Sequence, residues 1–143
     1  MKLPGLRKRT DCDDCPAHCC KYVIVETDEP ESWYDFQNYR WIVAHKDVTV
    51  LKNKHEWYVK YSTECEHLDK HNKCSIYNKR PVMCRRHKIE TCEISGYEDE
   101  HDIEFRGIVD FDAWLKEEKK KRLKRKKVKK KKKKKKQKKK QGR

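Results

Sequence analysis

The feature that most constrains this chain is its cysteine content, eight cysteines in 143 residues of which only 34% are hydrophobic. A chain of this length has room for one domain, and with 44% of its residues charged its apolar core must be small. Domains with small cores need additional cross-links, which cysteines supply either as disulfides or as metal ligands. The sequence therefore predicts one small domain held together through its sulfur atoms.

The cysteines fall into two groups along the chain. In the first group, Cys12 and Cys15 form a C-x-x-C hook, in which two sulfurs from one tight turn can reach the same ion. Cys19 and Cys20 are adjacent and precede a predicted strand, where neighbouring side chains point to opposite faces. Either one of these two packs as a small hydrophobic residue, or the pair supplies two centres.

The compartment decides between disulfides and metal. The N-terminal charges are followed by no apolar segment of a secretory signal, and no stretch approaches the roughly 20 apolar residues of a membrane span. We therefore expect the chain in the cytoplasm, where reducing conditions disfavour disulfides. The prediction is that all the cysteines are ligands of zinc or iron, with disulfides or reduced core thiols as the alternative. These ligands are Cys12, Cys15, Cys19, Cys20, Cys65, Cys74, Cys84 and Cys92.

The positive charge of the chain is concentrated at its C-terminal end. Residues 116–143 contain 21 Lys and Arg and two Glu, whereas the rest of the chain is mildly acidic. We predict a flexible basic lead over residues 1–10, a cysteine-cluster metal-binding domain over 11–115 and a disordered polylysine tail over 116–143. The tail carries no RNA-binding motif, so any binding of nucleic acid or another polyanion should be non-specific, and a tail that only aids solubility is the alternative.

The apolar pattern predicts an α+β fold with a short antiparallel sheet and one or two helices. Strands are expected at residues 21–26, 47–51, 56–61 and 102–106, with a hairpin turn over 52–55. A helix is expected from about residue 30 to 45, because Ser32 and Asp35 have capping-box spacing. Its aromatic residues could form a stacking platform but are expected to be mostly core, and they are Trp33, Tyr34, Phe36, Tyr39 and Trp41. A last helix should start near Asp110 and end in a coil after Leu115, since beyond that point no apolar face remains.

A second motif makes the cysteine pattern specific. The segment from Cys74 to Arg85 reads C-S-I-Y-N-K-R-P-V-M-C-R, and Cys65 begins a C-x-x-L. This block and the first cysteine group, Cys12 to Cys20, which we call the opening knot, together resemble the YkgJ-type cysteine cluster family, also called the CxxCxxCC domain. The opening knot departs from that family by one extra residue, which gives C-x-x-C-x-x-x-C-C.

The resemblance covers roughly residues 12–92 and implies a metal-chelating function for a zinc- or iron-binding domain. It places seven cysteines at motif positions and leaves Cys92 just beyond the block. Larger relatives, the flagellin lysine N-methylases, are similar in this block and use an iron-sulfur centre, which implies an iron-sulfur redox or modification enzyme as one alternative. A polyanion-associated accessory protein is the other. The glycines form no nucleotide-binding loop.

Nearby imidazole and guanidinium groups have secondary roles in this interpretation. His18, His67 and His87 are close to cysteines in sequence, but eight thiols leave little need for imidazole ligands. Three arginines, Arg80, Arg85 and Arg86, could bind an acidic substrate or partner. We expect them instead to neutralise thiolates or to pair with acidic side chains, because four thiolates around one divalent ion carry net negative charge.

Overall fold

The fold is a four-stranded antiparallel sheet with two helices packed on one face. The structure, a computed structural model, describes residues 15–89, residue 92 and residues 101–141, with side chains to residue 137. The strands are β1 (Val23–Thr27), β2 (Val48–Asn53), β3 (Glu56–Tyr61) and β4 (Ile103–Phe105), and the helices are α1 (Trp33–Ile42), α2 (Val82–Arg86) and α3 (Ile108–Gln141). The sheet order is β1-β3-β2-β4. The predicted α+β class and antiparallel sheet are confirmed.

The hairpin between β2 and β3 sets the register of the sheet. Asn53 pairs with Glu56, and Lys54 takes a left-handed backbone conformation with φ of 50° to close the turn. β1 then adds to the other side of β3, with Val23 opposite Tyr61. The predicted strands are present within one or two residues of their expected ends.

The first helix begins at the capping box that the sequence predicted. The Ser32 hydroxyl accepts a hydrogen bond from the Asp35 backbone N–H at 3.1 Å, and the Asp35 carboxylate accepts one from the Ser32 N–H at 2.7 Å. These bonds hold the pKa of Asp35 below its usual range, because they favour the ionised carboxylate. Helix α1 is shorter than predicted, since Pro30 precedes the cap and the chain leaves the helix after Ile42.

One apolar cluster joins the sheet to α1 and the start of α3. Alternate residues of the central strands and one face of each helix form it, since strand side chains alternate and helical ones recur every third or fourth residue. Its buried members are Phe36, Tyr39, Val43, Val50, Trp57, Val59, Phe105, Phe111 and Leu115. Arg40 also links the helices through two bonds to the Asp112 carboxylate, at 2.7 and 2.9 Å.

Only two of the five aromatic residues of α1 belong to this core. Phe36 and Tyr39 are buried, but Trp33, Tyr34 and Trp41 are 58%, 73% and 67% exposed. The expectation that the helix aromatics are mostly core was therefore wrong for these three. A helix packed on one side only can bury a single stripe, and this helix carries aromatic residues around more than one stripe.

Helix α3 is much longer than the sequence predicted. It starts at Ile108, close to the expected position, but it continues to Gln141 instead of ending in a coil after Leu115. Lysine is a good helix former, and the first turns past the core are supported by pairs of Glu117 with Lys120 and Glu118 with Arg122. The lack of an apolar face removes packing energy but does not by itself oppose helical geometry.

Truncating Phe111, a buried aromatic residue near the start of α3, tests this core. Phe111 has no exposed surface, so Phe111→Ala should lower the free energy of unfolding by about 3–5 kcal/mol, measured by urea denaturation. The control Val109→Ala, at a position that is 82% exposed, should change it by less than about 0.5 kcal/mol. Equal effects of the two variants would contradict the packing described here.

Candidate metal centre

The sheet itself brings the two cysteine segments together. β1 and β3 are antiparallel neighbours, so the chain before β1 and the chain after β3 leave the sheet at the same end. Cys20 precedes β1 and Cys65 follows β3, and the Cys65 backbone N–H donates to the Cys20 carbonyl at 2.8 Å. Two cysteines separated by 44 intervening residues are therefore joined by one backbone hydrogen bond.

A small hairpin next brings Cys74 back towards Cys65. Leu68 and Cys74 form an isolated antiparallel bridge, and the Ser75 N–H donates to the His67 carbonyl at 2.9 Å. The Asp69 carboxylate closes the turn by accepting the backbone N–H groups of His71 and Lys73, both at 2.8 Å. The Lys73 N–H is the main reason that the pKa of Asp69 is held below its usual value.

Two arginines hold the segment that carries Cys84. The Arg80 guanidinium stacks on the Tyr77 ring at 3.7 Å, and its Nε donates to the Tyr77 carbonyl at 2.9 Å. Arg85 Nε donates to the Arg80 carbonyl at 2.8 Å, which ties α2 to the preceding loop. Within the described residues neither arginine pairs with an acidic side chain, and their predicted neutralisation of thiolates stays a prediction. They bind backbone carbonyls and fix the loop that presents Cys84.

The opening knot forms a tight turn rather than the start of a strand. Cys19 and Cys20 lie in one turn of 3-10 helix, His18–Cys20, and β1 begins only at Val23. Ala17, buried before this turn, adopts a left-handed conformation with φ of 56° and ψ of 43°. L-residues seldom take this conformation, so it marks where the chain bends within the three-residue spacer between Cys15 and Cys19.

The thiols of Cys19 and Cys20 contact each other but face different neighbours. Partial burial, with the hydrogen bond to Cys20 and the nearby thiols of Cys15 and Cys92, raises the pKa of Cys19 to about 12. Burial also raises the pKa of Cys20, whose other sulfur neighbours are Cys65, Cys74 and Cys84. The two thiols therefore differ in the cysteines that contribute to their raised pKa values.

The chemistry of this arrangement fits a cation. Seven cysteines are described and all are free thiols. Burial is the main cause of the raised pKa values of Cys19 and Cys20, and a bound divalent ion would offset it by stabilising the deprotonated sulfurs. In the described parts of the chain no three His, Cys, Asp or Glu side chains are placed to hold one ion. What the backbone brings together is the segments of Cys20, Cys65 and Cys74.

The remaining predicted positions are placed as follows. Cys92 is half-buried, and its N–H donates to the Ile89 carbonyl at 3.2 Å. Cys12 lies outside the described residues. His67 Nε2 lies 3.4 Å from a Glu66 carboxylate oxygen, so this imidazole faces an acid. Sequence reasoning missed the closing role of Asp69, although an Asp four residues before Lys73 in a polar segment is a turn signal.

Comparison with known proteins identifies one family. Residues 11–107, more than half of the chain, match the sequence model of the CxxCxxCC family, described as "Putative zinc- or iron-chelating domain". No significant match was found among curated proteins or among solved structures. No helix in the described part of the chain is both long and apolar enough to cross a membrane.

The arginine that holds the Cys84 loop provides a test of this site. Arg85→Gln removes the bond to the Arg80 carbonyl and should weaken metal retention by roughly 10-fold or more, as loss of supporting contacts around ligands does. The measurement is transfer of zinc from the loaded protein to a chromogenic chelator. The neighbouring Arg86→Gln is the matched control and should behave as wild type. Equal retention in all three proteins would contradict a supporting role for Arg85.

Proposed function

Because this chain belongs to the CxxCxxCC family, we propose that it is a metal-binding protein whose cysteines chelate zinc or iron in the cytoplasm. The observation that carries this proposal is the position of Cys20, which is backbone-bonded to Cys65 and electrostatically coupled to Cys65, Cys74 and Cys84. Four thiolates are the donor set of structural zinc sites and of iron-sulfur clusters.

We further propose that the cysteines divide into two sets of four. The first set contains Cys20, Cys65, Cys74 and Cys84, which share one sulfur neighbourhood. The second contains Cys15, Cys19 and Cys92, which are also neighbours, and Cys12, assigned by its C-x-x-C spacing to Cys15. The adjacent residues Cys19 and Cys20 then serve different centres, as one of the two sequence hypotheses allowed.

Bound metal would supply the cross-link that the small core lacks. A structural zinc ion contributes about 10–16 kcal/mol of apparent binding free energy at neutral pH, comparable with the whole stability of a domain. The protein side chains provide deprotonated sulfurs, the Asp69 turn positions Cys74, and the arginines position Cys84. An iron-sulfur centre would use the same ligands and would add redox chemistry, which is the enzymatic alternative.

Metal analysis of protein purified without oxygen tests the division. Wild type should carry metal in both sets, and Cys20→Ser and Cys15→Ser should each lose about half of it, measured by elemental analysis with thiol titration. Ser75→Ala, beside Cys74, is the control and should retain all of it. Colourless protein with zinc indicates structural sites, and brown protein with iron and acid-labile sulfide indicates clusters. Metal-free wild type with its sulfurs paired as disulfides would refute the proposal.

A second function is proposed for the basic helix. Beyond Arg122 the only apolar residues of the described helix are Leu123 and Val128, both exposed, so lysines and arginines project on all sides. A surface of this kind attracts polyanions by releasing their counterions, with affinity that falls steeply as salt rises. We propose non-specific binding of a polyanion through residues 116–143.

Shortening the chain tests this second function. A chain ending at Arg125 keeps the contacts of Lys119 and Arg122 with α1 but loses the long lysine run. It should elute from heparin at markedly lower salt than the full chain, while its metal content and unfolding midpoint stay the same. Unchanged retention on heparin would exclude the lysine run as the polyanion site.

A further inference from the structure

The outward face of α1 carries large aromatic side chains that the core does not use. Tyr34 and Trp41 are seven residues apart, which places them on the same stripe of the helix, opposite the buried stripe of Phe36 and Tyr39. Their separation along the axis is about 10 Å. This axial separation is larger than the roughly 3.4 Å between successive stacked bases, so each ring would stack on a different base.

The basic helix begins beside this face. α1 and α3 run antiparallel, because Arg40 pairs with Asp112 whereas Trp33, at the other end of α1, contacts Lys119. The Lys119 ammonium lies 3.7 Å from the centre of the Trp33 ring, and the Arg122 guanidinium lies 4.9 Å from that of Phe36. Trp33 therefore stands at the border between the exposed rings and the lysines of α3.

Two carboxylates near this face, those of Asp35 and Asp112, are held by donors within the protein. Asp35 accepts the backbone N–H groups of Glu31 and Ser32, and Asp112 is held by Arg40. Their pKa values are lowered by these bonds, so they stay ionised, but their oxygens point to donors within the protein. An approaching phosphate chain therefore meets the unpaired ammonium groups of α3 more readily than these acids.

We propose that α1 and α3 together form a binding site for single-stranded nucleic acid, with phosphates on the basic residues of α3 and bases stacked on Trp33, Tyr34 and Trp41. This inference rests on the polyanion function proposed for the helix and names its ligand class. Single strands present unstacked bases to aromatic side chains, whereas a duplex keeps its bases paired and stacked.

A membrane surface is the less suitable partner for the same residues. A helix that lies in a lipid interface needs a continuous apolar face opposite its charged face. α3 has lysines around its whole circumference, and the rings on α1 stand beside the polar side chains of Gln37 and Asn38. Base stacking needs separate exposed rings near positive charge, and here the lysines of α3 begin beside Trp33, at one end of the row of rings.

Fluorescence anisotropy of the full-length, metal-loaded chain tests the site. The probes are a labelled oligouridylate and a labelled RNA duplex of equal length. Tyr34→Ala/Trp41→Ala should weaken binding of the oligouridylate by roughly 10- to 100-fold and change duplex binding by less than about twofold. Tyr34→Phe/Trp41→Phe should restore most of the affinity, because it keeps the rings. The control Val109→Ala, exposed at the start of α3, should bind as wild type.

The outcomes separate this inference from the function on which it rests. If wild type binds neither probe, the polyanion function and the inference both fail. If wild type binds both probes and the alanine variant loses neither or loses both equally, the polyanion function stands and the stacking site is refuted. Binding to phosphatidylserine vesicles is measured alongside. If the alanine variant loses vesicle binding but still binds the oligouridylate, the rings belong to a lipid-binding surface and the stacking site is refuted. Circular dichroism of each variant establishes that α1 is intact.

Discussion

The antiparallel pairing of β1 with β3 is the constraint on which the candidate centre depends. The pairing places Val23 opposite Tyr61. Just beyond this end of the two strands, the Cys65 N–H donates to the Cys20 carbonyl. The register of this pairing is set by the apolar face of the sheet and by the β2–β3 turn, neither of which involves a cysteine. A shift of register would move Cys65 away from Cys20 and separate the two segments.

The partly buried thiols of Cys19 and Cys20 are the second constraint. Burial, with neighbouring sulfurs, raises the pKa of both groups. A raised pKa keeps a thiol protonated, so a cation that binds these sulfurs must displace their protons and compensate for the buried thiolate charge. Arg80 and Arg85 hold the segment of Cys84, which lies outside the sheet, through bonds to backbone carbonyls.

Helix α3 belongs to the apolar core at its start and carries the basic surface over the rest of its length. Its first turns contribute Phe111 and Leu115 to the core, and its later turns carry almost nothing but positive charge. The transition occurs where Lys119 and Arg122 contact aromatic rings of α1. One continuous helix can therefore be anchored by hydrophobic burial at its start and project a charged surface further on.

The sequence by itself determined the features that depend on neighbours along the chain. These are the Ser32 and Asp35 cap, the β2–β3 hairpin, the strand positions and the cysteine motifs that identify the family, because each follows from local hydrogen bonding or from spacing. The tertiary structure alone decided which sulfurs are neighbours, that Arg80 and Arg85 bind carbonyls, and that Trp33, Tyr34 and Trp41 face outward. These depend on register and on which helix face meets the sheet, and such long-range pairings are set by the packing of the whole domain.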